Sequence, residues 1–86
     1  MTASRFTPEL LDELHLLCLY NLSTTQEGLK VHASSAAPGL VAAAGRLHAK
    51  GLLSQADGGY LTSLGRDAAA HAQDLLGILE SAGVTT

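Results

Sequence analysis

The sequence predicts a mainly α-helical single domain with one small β-hairpin. Three observations carry that expectation. Apolar residues make up 47% of the 86, yet the aromatics are only Phe6, Tyr20 and Tyr60, so the core must be built from Leu and Ala, which favour helices. Helix-start signals stand ahead of stretches in which Leu and Ala recur every three or four positions. Between the last two such stretches, Ala56-Asp57-Gly58-Gly59 separates two short β-like runs, and glycines there accept the positive φ of a hairpin.

The elements follow in order. Thr7-Pro8-Glu9 supplies an N-cap, a proline at the first helical position and an acid in the first turn, opening a helix over about 8–20. At 100° per residue, Leu10, Leu11, Leu14, Leu17 and Cys18 share a face expected to point inward. Leu16 and Leu19 fall on the other side, among Glu9, Asp12 and Glu13, as either a second buried face or a partner surface. Ser23-Thr24-Thr25-Gln26 has the form of a capping box with Ser23 as N-cap, predicting a short helix over about 24–30 that Gly28 weakens. The alternation Leu29, Lys30, Val31, His32 suits an extended segment equally well, so helix and strand both stay open over 24–33. Small residues at 33–37 make a turn.

Pro38-Gly39 begins the next helix, over about 38–50, ended by Gly51 as the residue after its cap. Its inward stripe is Leu40, Ala44 and Leu47 flanked by Val41; Ala42, Ala43, Arg46, Ala49 and Lys50 are expected to face out. The hairpin spans about 52–62. Thr62 then caps a last helix over about 63–81, in which Leu64, Ala68, Ala72, Leu75, Leu79 and Ala82 repeat at helical spacing. Leu76 and Ile78 widen that stripe beyond what one small core can cover. Residues 1–6 and 83–86 are expected to be flexible tails.

The order of helix, short helix, turn, helix, hairpin and long helix is that of a winged helix-turn-helix domain, and local phrases support it. Leu47-His48-Ala49-Lys50-Gly51-Leu52-Leu53 resembles the segment by which a winged-helix recognition helix passes into the wing. Tyr60-Leu61-Thr62-Ser63-Leu64-Gly65-Arg66 resembles the exit from the wing, shortened by one residue. The whole chain also resembles a family of small gammaproteobacterial proteins with a suggested DNA-binding role, through Arg5-Phe6-Thr7-Pro8-Glu9-Leu10-Leu11-Asp12-Glu13-Leu14 and Thr25-Gln26-Glu27-Gly28-Leu29-Lys30-Val31-His32.

What the winged-helix resemblance implies is a small DNA-binding protein, a transcriptional regulator or accessory factor acting as a dimer. The helix over 38–50 would enter the major groove, with Arg46 at a base edge and Lys50, Lys30 and Arg66 on phosphates. Charge tempers this expectation. The net charge is −3, and only the stretch 38–66, with Arg46, Lys50 and Arg66 against Asp57, is cationic. The wing holds Asp57 and no Lys or Arg, so binding to double-stranded DNA would be weak and salt-sensitive. The competing reading is a winged-helix module for protein–protein contact without DNA binding, in which Arg46 and Lys50 are ordinary solvated residues. Under either reading Leu16 and Leu19 of the first helix and Leu75, Leu76, Ile78 and Leu79 of the last are expected to form a two-fold homodimer interface.

Other chemistry finds little support. A lone Cys18 between leucines reads as a small core hydrophobe and allows no disulfide within the chain. His15 and Cys18 share a helix turn but lack further ligands, and His32, His48 and His71 are scattered, so no metal site is expected. Ser34 and Ser35 have no base to activate them, Gly58-Gly59 lacks a phosphate-loop context, and the pairs Asp12/Glu13 and Asp67/Asp74 read as solvated charges. The expectation is a non-enzyme without cofactor. Met1 to Arg5 lacks a signal-peptide pattern and the apolar runs are too short to span a bilayer, so a cytoplasmic location is expected.

Overall fold

A computed structural model describes residues 4–32, 34 and 36–82. Residues 1–3 and 83–86, most of the two tails expected to be flexible, lie outside the described residues, as do Ala33 and Ser35 of the small-residue turn. The described residues form three helices and three strands: α1 (Pro8–Cys18), β1 (Leu29–Lys30), α2 (Pro38–Ala49), β2 (Leu53–Gln55), β3 (Gly58–Leu61) and α3 (Ser63–Ala82). It is mostly helical with a small antiparallel sheet, in strand order β1-β3-β2.

The helix ends follow the local chemistry of the sequence. Thr7 Oγ1 accepts from the Leu10 amide at 3.2 Å and Pro8 occupies the first turn of α1, satisfying a donor the helix leaves free. Helix α2 closes on Lys50, after which Gly51 takes φ +83° and its amide donates to the His48 carbonyl. Thr62 accepts from the Gly65 amide at 3.0 Å and so caps α3, while its own hydroxyl donates to the Gly51 carbonyl at 2.6 Å. One side chain thereby fastens the end of α2 to the start of α3. Gly65 lies so close beneath the hairpin that a Cβ there would overlap the Leu52 carbonyl.

The predicted helix over 24–30 does not form. Two local side-chain acceptors compete for the backbone donors it would have needed. Asn21 Oδ1 accepts from the Ser23 amide and Thr24 Oγ1 from the Gln26 amide, so Ser23 is not an N-cap. Beyond Gly28 the chain extends, and Leu29 and Lys30 pair with Gly59 and Gly58 as a third strand. The glycines thus belong to β3 rather than to the turn: Ala56 and Asp57 make the two-residue connection, and Gly58 and Gly59 carry positive φ after it. At Gly58 a side chain would strike the Leu29 carbonyl, which is why β1 can approach there. Between β1 and α2, the Ala36 amide donates to the His32 carbonyl at 2.8 Å.

The core is Leu16, Leu17, Tyr20, Val31, Ala43, Ala44, Leu47, Leu53 and Ala69, with Leu29, Leu40, Val41, Leu52 and Leu61 packed against it. Two expected faces are corrected. Leu16, expected at the dimer interface, is wholly buried, because α1 packs on both α2 and α3 and turns its Glu13, Leu16, Leu17 and Tyr20 side into the domain. Of the face expected inward, Leu17 is in the core and Cys18 is half-buried, while Leu10, Leu11 and Leu14 are exposed. On α2, Ala43 is wholly buried rather than outward; its small side chain allows the helix to sit close against the rest of the core.

Candidate functional site

Glu13 is the centre of the charged geometry. It was expected to be a solvated carboxylate, yet it is the one charged residue among the described residues that is buried. Arg46 Nε donates to its Oε2 at 2.8 Å and Lys50 Nζ donates to its Oε1, both cations coming from successive turns of α2. Arg46 also donates through its other nitrogen to the Glu9 carbonyl at 3.0 Å. Burial by itself would raise the Glu13 carboxyl; the hydrogen bonds from Lys50 and Arg46 and the two positive charges outweigh it and hold the group below the ordinary glutamate value. The arrangement is a clamp between α1 and α2, with the carboxylate inside and the two cations half in solvent.

The other two cations picked out from the sequence are engaged as well. Lys30 on β1 donates to Asp57 at 3.0 Å and to Gln55 at 2.9 Å across the hairpin. The Lys30 hydrogen bond, with its charge, holds the exposed Asp57 carboxyl below its usual range. Arg66, near the start of α3, donates to the carbonyls of Leu22 at 2.6 Å and Thr24 at 3.3 Å. Two turns further along the same face of α3, Gln73 donates to the carbonyls of Leu17 and Tyr20. Arg66 and Gln73 together satisfy acceptors at and beyond the C-terminal end of α1, a pairing whose only signal in the sequence is their spacing of seven on one helix face. Tyr20 completes the tie: its hydroxyl donates to the Gly59 carbonyl at 3.1 Å, and burial, with the Asp57 charge, pushes its phenol up to about 12.

The outward surface of α2 consists of Pro38, Ala42, His48, Ala49 and Lys50. Gly45 sits along it with open space where a Cβ would stand. The helix expected to read base edges therefore presents Pro38, Ala42 and Ala49 with His48 and Lys50, while Arg46 is turned toward α1.

An apolar cleft lies on the opposite side of the domain. Helices α1 and α3 diverge there, leaving an open groove of about 480 Å³ between Leu11, Leu14 and Cys18 on one wall and Ala72, Leu75, Leu76 and Leu79 on the other, with Phe6 and His15 at its margins. Burial, and secondly the Glu80 charge, raises the Cys18 thiol above its usual value, so it is not an activated thiolate. Of the six residues expected at a dimer interface, the structure brings Leu75, Leu76 and Leu79 together on this wall. Leu19 is exposed just past α1, Ile78 is exposed on α3 but does not line the groove, and Leu16 is in the core. Leu11 and Leu14 were missed because their stripe was assigned to the core.

Among the described residues no three His, Cys, Asp or Glu side chains gather in a way that could hold a metal ion, and no helix among them is long and apolar enough to cross a membrane. Residues 4–80 match the model of a family described as a Family of unknown function (DUF5669). Neither a curated protein nor a solved structure matches the chain.

Proposed function

The chain belongs to that family of unknown function, and we propose that it is a winged-helix domain that works by contacting protein rather than by reading DNA, and that it is not an enzyme. The winged-helix assignment is supported by the order α1, β1, α2, β2, β3, α3 and by a three-stranded antiparallel sheet in the order β1-β3-β2. The Ala36–His32 backbone hydrogen bond falls between β1 and α2, where a winged helix has its second helix. In this reading α2 is the recognition helix and the β2–β3 hairpin is the wing.

One observation carries the choice of protein over DNA. Each of the four cations that DNA contact would need already serves an acceptor of its own chain: Arg46 and Lys50 serve Glu13, Lys30 serves Asp57, and Arg66 serves the carbonyls of Leu22 and Thr24. A phosphate would have to displace these partners, and withdrawing Arg46 and Lys50 would leave the Glu13 carboxylate buried without a counter-charge. The counterion-release gain of about three phosphate contacts, from Lys30, Lys50 and Arg66, is small and fades with salt.

Titration with random-sequence duplex DNA at low and at physiological salt tests this reading. The expected result is no binding at physiological salt and none to only weak binding at low salt. Tight binding that Arg46→Ala and Lys50→Ala both weaken would return the domain to a DNA-binding regulator, with Arg46, Lys50, Lys30 and Arg66 as its contact set.

A further inference from the structure

We propose that the partner is a second copy of this chain, and that two copies close the α1/α3 clefts on each other as a two-fold four-helix layer; the inference rests on the protein-contact reading above. It begins from an imbalance. Among the described residues, the nine that are buried and apolar include three alanines, whereas Leu10, Leu11, Leu14, Leu75, Leu76, Ile78 and Leu79 all remain exposed. Fewer large apolar side chains are fully buried among these residues than are left exposed, and domains of this size commonly gain stability from association.

The spacing of the groove-lining side chains says what kind of surface covers them. On α1, Leu11, Leu14 and Cys18 are separated by three and four residues. On α3, Ala72, Leu75 and Leu79 are separated by three and four, with Leu76 beside them. Both are the alternation of a helix-bundle seam, in which the complementary surface is another pair of helices with the same repeat. The chain itself carries that surface. A two-fold axis through the cleft sets it against its own copy, which is the requirement of a closed, isologous interface. Small Ala72 stands among the leucines of the groove, and small side chains beside large ones allow facing walls to interdigitate.

The area is sufficient. Leu11, Leu14, Leu75, Leu76 and Leu79, each about half exposed, together present on the order of 500 Å² of apolar surface, near the upper limit for a monomer. A symmetric pair would remove ~1,000 Å² or more, the point at which specific interfaces begin. Glu13 and Lys50 do not line the groove, though Phe6 and Leu14 border both it and a smaller apolar pocket that reaches them.

Sedimentation equilibrium of the full chain from about 1 to 500 µM, a range set by micromolar affinities, tests the inference. The expected result is a reversible monomer–dimer equilibrium whose larger species has twice the 8.8 kDa mass. The double variant Leu75→Glu/Leu79→Glu should raise the dissociation constant at least ~100-fold, since each substitution counts twice across the two-fold. Ile78→Glu, an exposed position outside the groove, should leave it within about threefold. Alkylation of Cys18 in the unaltered protein gives an independent readout, expected to slow about tenfold as concentration passes the dissociation constant. A strictly monomeric mass throughout overturns the inference and assigns the cleft to a different protein or an apolar small molecule. So does a dimer indifferent to the double variant, or Cys18 alkylation independent of concentration. None of these results bears on the choice of protein over DNA, which the DNA titration alone decides.

Discussion

Removing the Glu13 carboxylate would leave Arg46 and Lys50 facing the α1–α2 junction without their acceptor. Both cations reach solvent, so the loss falls short of that for a fully buried pair: Glu13→Gln should cost about 1–3 kcal/mol near neutral pH. The pH dependence has a definite sign. The folded-state carboxyl is held below the ordinary value of 4.5, so its contribution is whole above 4.5 and is lost as pH falls through the depressed value. Urea midpoints measured from pH 7 to pH 3 should therefore show the gap between the parent and Glu13→Gln narrowing below pH 4.5. A gap that stayed constant would mean the clamp contributes nothing electrostatic. This clamp was hidden in the sequence for a specific reason. Glu13 has acidic Asp12 beside it and Glu9 one turn earlier, so it reads as solvent-facing even though Leu10, Leu16 and Leu17 are its other helix neighbours. The cations that permit its burial lie more than thirty residues away on α2, and no local pattern connects them. Leu16 was misplaced by the same error, because a helix with apolar residues on two sides does not declare which side its neighbours occupy.

Element boundaries were far more legible, since they depend on short-range chemistry. Thr7-Pro8, Gly51 and Thr62 each mark a helix end within their own few residues, and all three do so in the structure. The 24–30 segment shows where such signals fail. Ser23 and Gln26 have capping-box spacing, but Asn21 and Thr24 offer competing acceptors, and the pairing that decides the outcome comes from Gly58 and Gly59, about thirty positions on. The dual role of Thr62 leads to a sharp expectation for an element junction. Thr62→Ala removes the α3 cap and the bond to the Gly51 carbonyl together, and should destabilise by about 1–2 kcal/mol. Thr62→Ser keeps both bonds and should recover most of that loss in urea denaturation. If serine were no better than alanine, the threonine methyl would be responsible rather than the hydroxyl, and the junction would be held by packing.

At the scale of the whole molecule, the decisive feature is that α1 turns different faces to α2 and to α3. One side buries Glu13 and draws the cations of α2 inward, which consumes the positive surface that DNA contact would use. The other side leaves Leu11 and Leu14 in a groove with Leu75 and Leu79 of α3, which a small core cannot close by itself. The same rotation of α1 produces both effects, so the argument against DNA and the argument for association are not separate. If the groove closes on a second copy, folding and association are linked, and thermal stability must depend on protein concentration. With an unfolding enthalpy of about 0.7 kcal/mol per residue, a dimer of this length would carry on the order of 120 kcal/mol, which corresponds to a rise in Tm of about 4 °C per tenfold increase in concentration. Scanning calorimetry over two decades of concentration should show that rise in the parent chain and its disappearance in Leu75→Glu/Leu79→Glu, whose lower and concentration-independent Tm would report the monomer alone. A parent Tm that did not move with concentration would mean the domain completes its stability within one chain, and that its exposed leucines await some other partner.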